Sequence, residues 1–167
     1  MRIDITPGRG RIRVGPPTGP TETIPASVTV AITDTLPYDV EARLEWSPSV
    51  GKLAVRSVRC TSVPGGADVS PAGIARVALR ETIQAALEAE YLGGTGWPGL
   101  LDKHRDEDPL AVDALIYLLA VAFQSPKPTA TVALARGLSP ASGPKRVLAA
   151  RKLGLLPETE PGKPAGA

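Results

Sequence analysis

The sequence predicts an α+β protein in which a small antiparallel β-meander with one packed helix is followed by a second, all-helical module. Three observations lead to this class. Apolar and charged residues alternate with a period of two through residues 38–46, apolar residues recur at helical spacing through residues 74–91, and residues 110–123 are almost continuously apolar. The 167 residues are enough for one domain or two small ones.

Residues 1–23 are expected to form a flexible basic arm with a short strand at each end, because Gly and Pro between residues 15 and 20 resist regular strand pairing. Arg9, Arg11 and Arg13 give the arm three charges. These suit the negative potential of a nucleic-acid minor groove. The alternative is a solvent-facing strand edge, where the charges discourage pairing with another chain.

Residues 24–92 are expected to form the β-meander and its helix. Period-two patterns predict three strands, at residues 27–33, 38–46 and 52–61. In the second strand Glu41, Arg43 and Glu45 occupy one face, so that face of the sheet should be wet. Ser70-Pro71 offers an N-cap and a first-turn proline for a helix that ends near Gly93-Gly94.

Residues 93–108 are expected to form a linker loop. The stretch 94–99 has the spacing GxGxxG, but it follows a helix rather than a strand, so we expect a loop that Trp97 holds against the core and not a dinucleotide site. The single His104 lies in a mixed-charge segment, and the single Cys60 has no histidine near it in the sequence. We therefore expect neither an enzyme nor a metal or cofactor site.

The charges are segregated along the chain. Residues 1–113 have a net charge of −3, whereas residues 114–157 carry six cations and no Asp or Glu. A segment of this kind favours a polyanionic partner. The alternative is an ordinary solvated helical face.

Residues 109–157 are expected to form a helical module, which Asp108-Pro109 begins with a cap and a proline. Its first helix is apolar on nearly every side and should be central. Two further helices are expected to cross closely, with Gly137 in the turn between them and Ala133 and Gly143 at the contact.

The last helix is expected to begin near residues 141–143, with Ser139 or Ser142 as its cap, because Pro144 is tolerated only in a first turn. Leu138, Val147 and Leu153 are predicted to fill the core that the two helices share. Residues 158–167 are expected to be a disordered tail, since they are polar and rich in Pro and Gly.

This module resembles the helix-turn-helix module near the C-terminus of many actinobacterial and actinophage DNA-binding proteins. The resemblance rests on Val132-Ala133, Gly137-Leu138-Ser139, Ser142, Val147, Ala150-Arg151 and the closing stretch 153–157. Arg136 and Arg146 depart from it, because the pattern prefers apolar residues at both positions. Since a buried arginine without a partner is costly, both side chains are expected to reach solvent, or the helix to be rotated.

The resemblance implies a sequence-specific protein that binds double-stranded DNA and regulates transcription in a bacterium or phage. Base-reading and phosphate-binding residues would be Ser142, Lys145, Arg146, Ala149, Arg151, Lys152 and Lys127, with the arm arginines as possible further contacts. Arg151 has an alternative role, bracing its helix through the local backbone. The β-rich part would be a platform for dimers or other homo-oligomers, because one helix reads few bases.

Two other classes of function stay open. One is a phage structural, assembly or DNA-packaging protein that oligomerises, and the other is an adaptor whose basic helices bind an acidic protein surface. No signal peptide is visible, and the longest apolar stretch has ten residues, which is too short to span a membrane. A cytoplasmic protein without membrane contact is expected.

Overall fold

Two antiparallel sheets and five helices make up the described part of the chain in the computed structural model, which covers residues 2–33, 38–66, 68–70 and 79–157. The strands are β1 (Arg2–Pro7), β2 (Arg11–Val14), β3 (Glu22–Pro25), β4 (Ser27–Thr33), β5 (Tyr38–Ser47) and β6 (Lys52–Ser62). The helices are α1 (Leu79–Tyr91), α2 (Gly96–Lys103), α3 (Pro109–Ala122), α4 (Pro128–Ala135) and α5 (Ser142–Lys152). The predicted α+β class is confirmed.

The larger sheet has four strands in the order β1-β4-β5-β6. Its last three strands are the predicted meander, and their bounds differ from the prediction by at most one residue. Along β5 the side chains alternate, with Val40, Ala42 and Leu44 buried while Glu41 and Arg43 are exposed. The sheet therefore covers the core with one face and exposes the other to solvent.

The short strands expected at the two ends of residues 1–23 are present, but the prediction of a flexible arm between them is wrong. Residues 2–7 pair with β4 along the register from Arg2↔Thr33 to Pro7↔Val28, and β2 pairs with β3 to form a second, two-stranded sheet. Half-buried Ile3 and Ile5 pack against the core, so two alternating apolar residues are enough to hold β1 at the edge of the sheet. The Gly and Pro residues shape only the connection between β2 and β3.

Residues 93–108 also differ from the prediction, because α2 lies within the expected linker loop. Trp97 is buried as predicted, but it is buried from a helix. Leu100, three residues later, is buried on the same face of this helix, which explains why the short helix is stable.

Helix α1 buries Ile83, Ala86 and Leu87. Residues 71–78, where this helix was predicted to begin, and the predicted tail at 158–167 lie outside the described residues.

Helix α3 occupies the centre of the molecule. Its predicted cap is confirmed, since the Asp108 carboxylate accepts hydrogen bonds from the backbone N–H groups of Leu110 and Ala111, both at 2.9 Å. Ten of its residues are buried, on every side of the helix. They belong to one continuous core that also includes the inner face of the sheet and the buried residues of α4 and α5.

The chain leaves α3 through Gln124, a non-glycine residue with a left-handed φ of 65°. Its side-chain amide donates a hydrogen bond of 2.6 Å to the Leu53 carbonyl on β6, and its own carbonyl accepts one of 3.0 Å from Arg80 on α1. These bonds hold the end of the central helix to the sheet and to α1.

The three C-terminal helices α3, α4 and α5 contact one another pairwise. Within the described ranges, none of the helices has the length and apolarity needed to cross a bilayer.

Candidate nucleic-acid interface

Helices α4 and α5 are joined by a turn that depends on glycine. Gly137 has a φ of 64°, which residues with a side chain rarely adopt. The N–H of Leu138 bonds the Ala133 carbonyl at 2.9 Å, and the N–H of Gly137 bonds the Leu134 carbonyl at 3.0 Å. This pair of bonds is the Schellman ending of a helix, and it confirms Gly137 as the predicted turn residue.

The two helices cross at Gly143. A Cβ at this position would lie 2.0 Å from the Thr129 carbonyl oxygen and 3.3 Å from the Ala133 Cβ. Only a glycine fits there, so the predicted close contact between small residues is confirmed. Helix α5 begins at Ser142, within the predicted range, and Pro144 lies in its first turn.

Neither predicted serine caps α5. The N-cap position is Ala141, and no side chain caps the helix. The hydroxyls of Ser139 and Ser142 lie 3.0 Å apart and bond each other instead. The serine side chains thus satisfy one another, and the first N–H of the helix, that of Ser142, donates to the Ser139 backbone carbonyl at 2.9 Å.

A buried carboxylate explains the two arginines that depart from the helix-turn-helix pattern. Asp113 on α3 is fully buried, and one of its oxygens accepts a 2.7 Å hydrogen bond from Arg136 Nε. The other oxygen accepts a hydrogen bond from Arg146 Nε on α5. Arg136 also donates to the Pro109 carbonyl at 2.8 Å. We call Asp113, Arg136 and Arg146 the ion cluster.

The ion cluster was not predicted, although the sequence carries a signal for it. Asp113 is the only residue charged at neutral pH in an otherwise largely apolar helix, and it needs cations. The two arginines stand at positions where apolar residues were expected, and they need an anion for the same reason. The sequence analysis predicted that both side chains reach solvent or that the helix is rotated, and neither alternative included an anion inside the module.

Arg151, predicted to contact DNA or to brace its helix, makes internal contacts. Its Nη2 donates to the Tyr117 hydroxyl at 3.0 Å, its guanidinium carbon lies 5.3 Å from the Tyr117 ring centroid, and its Nε donates to the Pro157 carbonyl at 3.3 Å. This geometry agrees with the bracing role. Arg146 is likewise engaged inside the module through the ion cluster, with 30% of its side chain exposed.

The exposed face of α5 contains the remaining predicted residues. Lys145 and Lys152 are exposed, and Leu148 between them is 53% exposed. Ser142 and Ala149 are half-buried beside them, and Lys127 is exposed at the N-terminal end of α4. Residues three, four and seven apart share one side of a helix, so Lys145, Ala149 and Lys152 face the same way.

Two leucines assigned to the shared core are exposed instead. Val147 is buried as predicted, but Leu138 and Leu153 are 42% and 63% exposed. Gly154, with a φ of 71°, turns the chain so that Leu155 and Leu156 are buried in place of Leu153. Leu134, at 74% exposed, adds a further apolar side chain to the surface of this module.

The three arginines of the predicted arm lie on the strand side of the molecule. Arg11 and Arg13 belong to β2, and Arg13 Nη2 donates to the Thr21 hydroxyl at 3.0 Å. Arg9 lies between β1 and β2 and lines a concavity on the outer face of the four-stranded sheet. This is the solvent face of the sheet, whereas the helices pack on the other.

His104 contributes to an ion pair rather than to a site. Glu22 on β3 accepts a 2.6 Å hydrogen bond from Lys103 and lies 2.8 Å from His104 Nε2. Burial alone would raise the pKa of Glu22, but the hydrogen bonds and positive charges of Lys103 and His104 outweigh it, and the pKa lies below its ordinary value. Cys60 is a half-buried free thiol.

The described residues contain no group of three or more His, Cys, Asp or Glu side chains that could hold a metal ion. No known protein family, curated protein or solved structure matches this chain.

Proposed function

We propose that the chain is a sequence-specific protein that binds double-stranded DNA through α4, the Gly137 turn and α5, and that it regulates transcription in the cytoplasm of a bacterium or in a phage-infected cell. The observation that carries the proposal is the exposed face of α5. It presents Lys145 and Lys152, and no Asp or Glu occurs between residues 114 and 157 to offset them.

The ion cluster changes how much of the positive charge of residues 114–157 is available to DNA. Arg136 and Arg146 share the single negative charge of Asp113, so the ion cluster keeps a net charge of +1. Of the six cations in the segment, Lys127, Lys145 and Lys152 are the exposed ones. A phosphate backbone would therefore meet three exposed lysines, in addition to the part-buried positive charge of the ion cluster and of Arg151.

The two kinds of DNA contact divide among these residues. The lysines supply contacts with phosphates, which provide affinity without reading sequence. Ser142, Leu148 and Ala149 supply short side chains for base edges, and an apolar side chain such as Leu148 suits thymine methyl groups. Glycine at the crossing holds α5 close to α4, so α5 projects as a rigid element.

A homo-oligomer, most simply a dimer, completes the proposal. A single short helix reads few base pairs, and paired half-sites supply the missing specificity. The strand-rich part of the chain is the available platform for this assembly.

The direct test is fluorescence anisotropy with a labelled mixed-sequence duplex. Lys145→Ala/Lys152→Ala should weaken binding by at least about tenfold, because each lost phosphate contact removes a charge-assisted interaction. The matched control is Arg2→Ala/Arg105→Ala, which removes the same charge from exposed positions elsewhere on the protein. Equal losses in both variants would reduce the effect to net charge and contradict the proposal.

A second candidate function is favoured by the exposed leucines Leu134, Leu138, Leu148 and Leu153. Apolar surface of this extent on one module is typical of protein interfaces. The chain would then be an assembly protein that forms a higher oligomer, or an adaptor. A stable higher oligomer in sedimentation experiments, together with an affinity for its protein partner that competitor DNA does not change, would favour this candidate over the first.

A further inference from the structure

The outer face of the four-stranded sheet carries a polar concavity that the proposed DNA contact does not use. It has a volume of about 540 Å³, and Arg9, Arg43 and Arg59 lie among the residues that line it. This volume falls within the range of small-molecule sites, roughly 300–1,000 Å³.

Strand register places donors in a row across this face. Arg43 on the inner strand β5 lies opposite Thr29 on β4 and opposite Ser57 on β6. A guanidinium is therefore flanked on both sides by a hydroxyl. Arg9 lies at one rim of the concavity, where the N–H of Gly8 donates to the Ser27 carbonyl at 2.8 Å. Arg59 lies on the other side of the concavity, on β6.

Among the described residues, two of the three guanidiniums make no ion pair, and the β5–β6 register places the Glu41 carboxylate opposite one of them, Arg59. Arg43 pairs with Glu45 at 3.0 Å, and Arg56 makes a longer contact of 3.6 Å with the same carboxylate. The β5–β6 register has a bulge at this point, between Arg43 and Leu44. Within the described ranges, Arg9 and Arg59 have no ion-pair partner. The lining residues carry three guanidiniums and one carboxylate, so the concavity has a net charge of +2.

Protection of a sheet edge accounts for Arg59, which is on the edge strand β6, but not for Arg43. Charged residues on edge strands discourage pairing with other chains. Arg43, however, is on a strand with neighbours on both sides, and its backbone offers no free edge. Arg43 is therefore available to groups on the solvent side of the sheet.

We propose that this concavity is a binding site for a sugar phosphate. Its three guanidiniums and the hydroxyls of Thr29 and Ser57 donate hydrogen bonds to the phosphate oxygens. The Glu41 carboxylate, which also lines the concavity, accepts hydrogen bonds from sugar hydroxyls. None of the described residues that line it is aromatic, so these residues offer no ring on which a nucleobase could stack.

The site is independent of the DNA contact. It lies on the solvent face of the sheet, whereas α4 and α5 belong to the helical layer on the other side of α3. The variant Lys145→Ala/Lys152→Ala should therefore bind a sugar phosphate with the affinity of the unmodified protein, whatever becomes of DNA binding. Loss of sugar-phosphate binding in that variant would contradict the assignment.

Calorimetric titration of the full chain tests the proposal, with glucose 6-phosphate as the probe and glucose and sulfate as comparison ligands. We expect saturable binding of glucose 6-phosphate, none of glucose, and weaker binding of sulfate. Arg9→Gln/Arg59→Gln should weaken binding about a hundredfold, at about tenfold for each lost charge-assisted hydrogen bond. The control Arg2→Gln/Arg105→Gln should leave it unchanged. Circular dichroism establishes that each variant is folded.

Three results would overturn the site. They are no saturable binding, sulfate binding as tightly as glucose 6-phosphate, and equal losses in the test and control variants. The Glu41→Gln variant tests the sugar part separately. It should weaken binding of glucose 6-phosphate and leave binding of inorganic phosphate unchanged or tighter, since a carboxylate repels a bare anion. Equal weakening of both ligands would refute the role of Glu41 toward the sugar.

Discussion

Asp113 links the three helices of the C-terminal module. It extends from α3 and receives Arg136 from the end of α4 and Arg146 from α5. A fully buried carboxylate is stable only when its charge is compensated and its oxygens accept hydrogen bonds, and the two arginines do both. The ion cluster thereby relates α5 to the central helix by charge as well as by packing.

Removing the carboxylate should be costly. Asp113→Asn should lower the free energy of unfolding by about 3–5 kcal/mol, because it leaves two part-buried guanidiniums without their anion. Urea denaturation followed by circular dichroism measures the change. The control Asp102→Asn removes a 74% exposed carboxylate and should change stability by less than about 1 kcal/mol.

Replacing all three residues of the ion cluster distinguishes the effect of an unpaired buried charge from the effect of lost packing. The triple variant Asp113→Leu/Arg136→Met/Arg146→Met should be at least as stable as Asp113→Asn, since no buried charge is left unpaired. A triple variant far less stable than the single one would refute this account of the cluster.

Glu22 makes part of the stability depend on pH. Its folded pKa lies below the ordinary value of 4.5, so its contribution is present above that value and is lost as the pH falls through the folded pKa. The difference in unfolding free energy between the protein and Glu22→Gln should therefore be largest above about pH 4.5 and shrink in acid.

Denaturant melts across that pH range measure this difference, and Glu107→Gln, an exposed carboxylate near the same ion pair, reports the generic effect of removing one acid. A difference that grows as the pH falls would have the wrong sign for a carboxylate held by Lys103 and His104.

At the scale of elements, the sequence predicted the strands with a long alternating pattern and the turns and caps that depend on a residue with a special backbone role. The strands β4, β5 and β6, the cap of α3 and the turn at Gly137 follow from periodicity and from residues with special backbone roles. The pairing of strand β1 with β4 and the presence of helix α2 did not, because each depends on a few apolar contacts with distant parts of the chain. Ile3, Ile5, Trp97 and Leu100 have neighbours that only the folded core supplies.

Gly143 offers a sharp test of the α4–α5 crossing. Gly143→Ala should lower the free energy of unfolding by about 1–3 kcal/mol, because the new methyl group would meet the Thr129 carbonyl at 2.0 Å and the helices must move apart.

Thermal and urea denaturation measure the cost. Gly94→Ala is the matched control, since a Cβ there has nothing within 4 Å and the φ of Gly94 is not in the left-handed region. Equal stability of the two variants would show that the helices do not cross as closely as described.

At the scale of the whole molecule, the protein has two candidate binding surfaces around one core. The helical side presents lysines and leucines, and the strand side presents arginines and hydroxyls. The sequence allowed the positive charge to be assigned to residues 114–157. The sequence did not show which of these cations are exposed lysines and which are arginines that bond Asp113 or Tyr117. That distinction depends on Asp113 and Tyr117 facing α5 in the folded state.

The salt dependence of duplex binding tests the central claim most directly. A plot of log Kobs against log salt concentration should have a slope that falls by roughly 1.8 in magnitude in Lys145→Ala/Lys152→Ala, at about 0.9 for each lost phosphate contact. The control Arg2→Ala/Arg105→Ala should keep the slope of the unmodified protein. No binding to a mixed-sequence duplex at low salt, or the same slope in the lysine variant, would contradict DNA binding through α5.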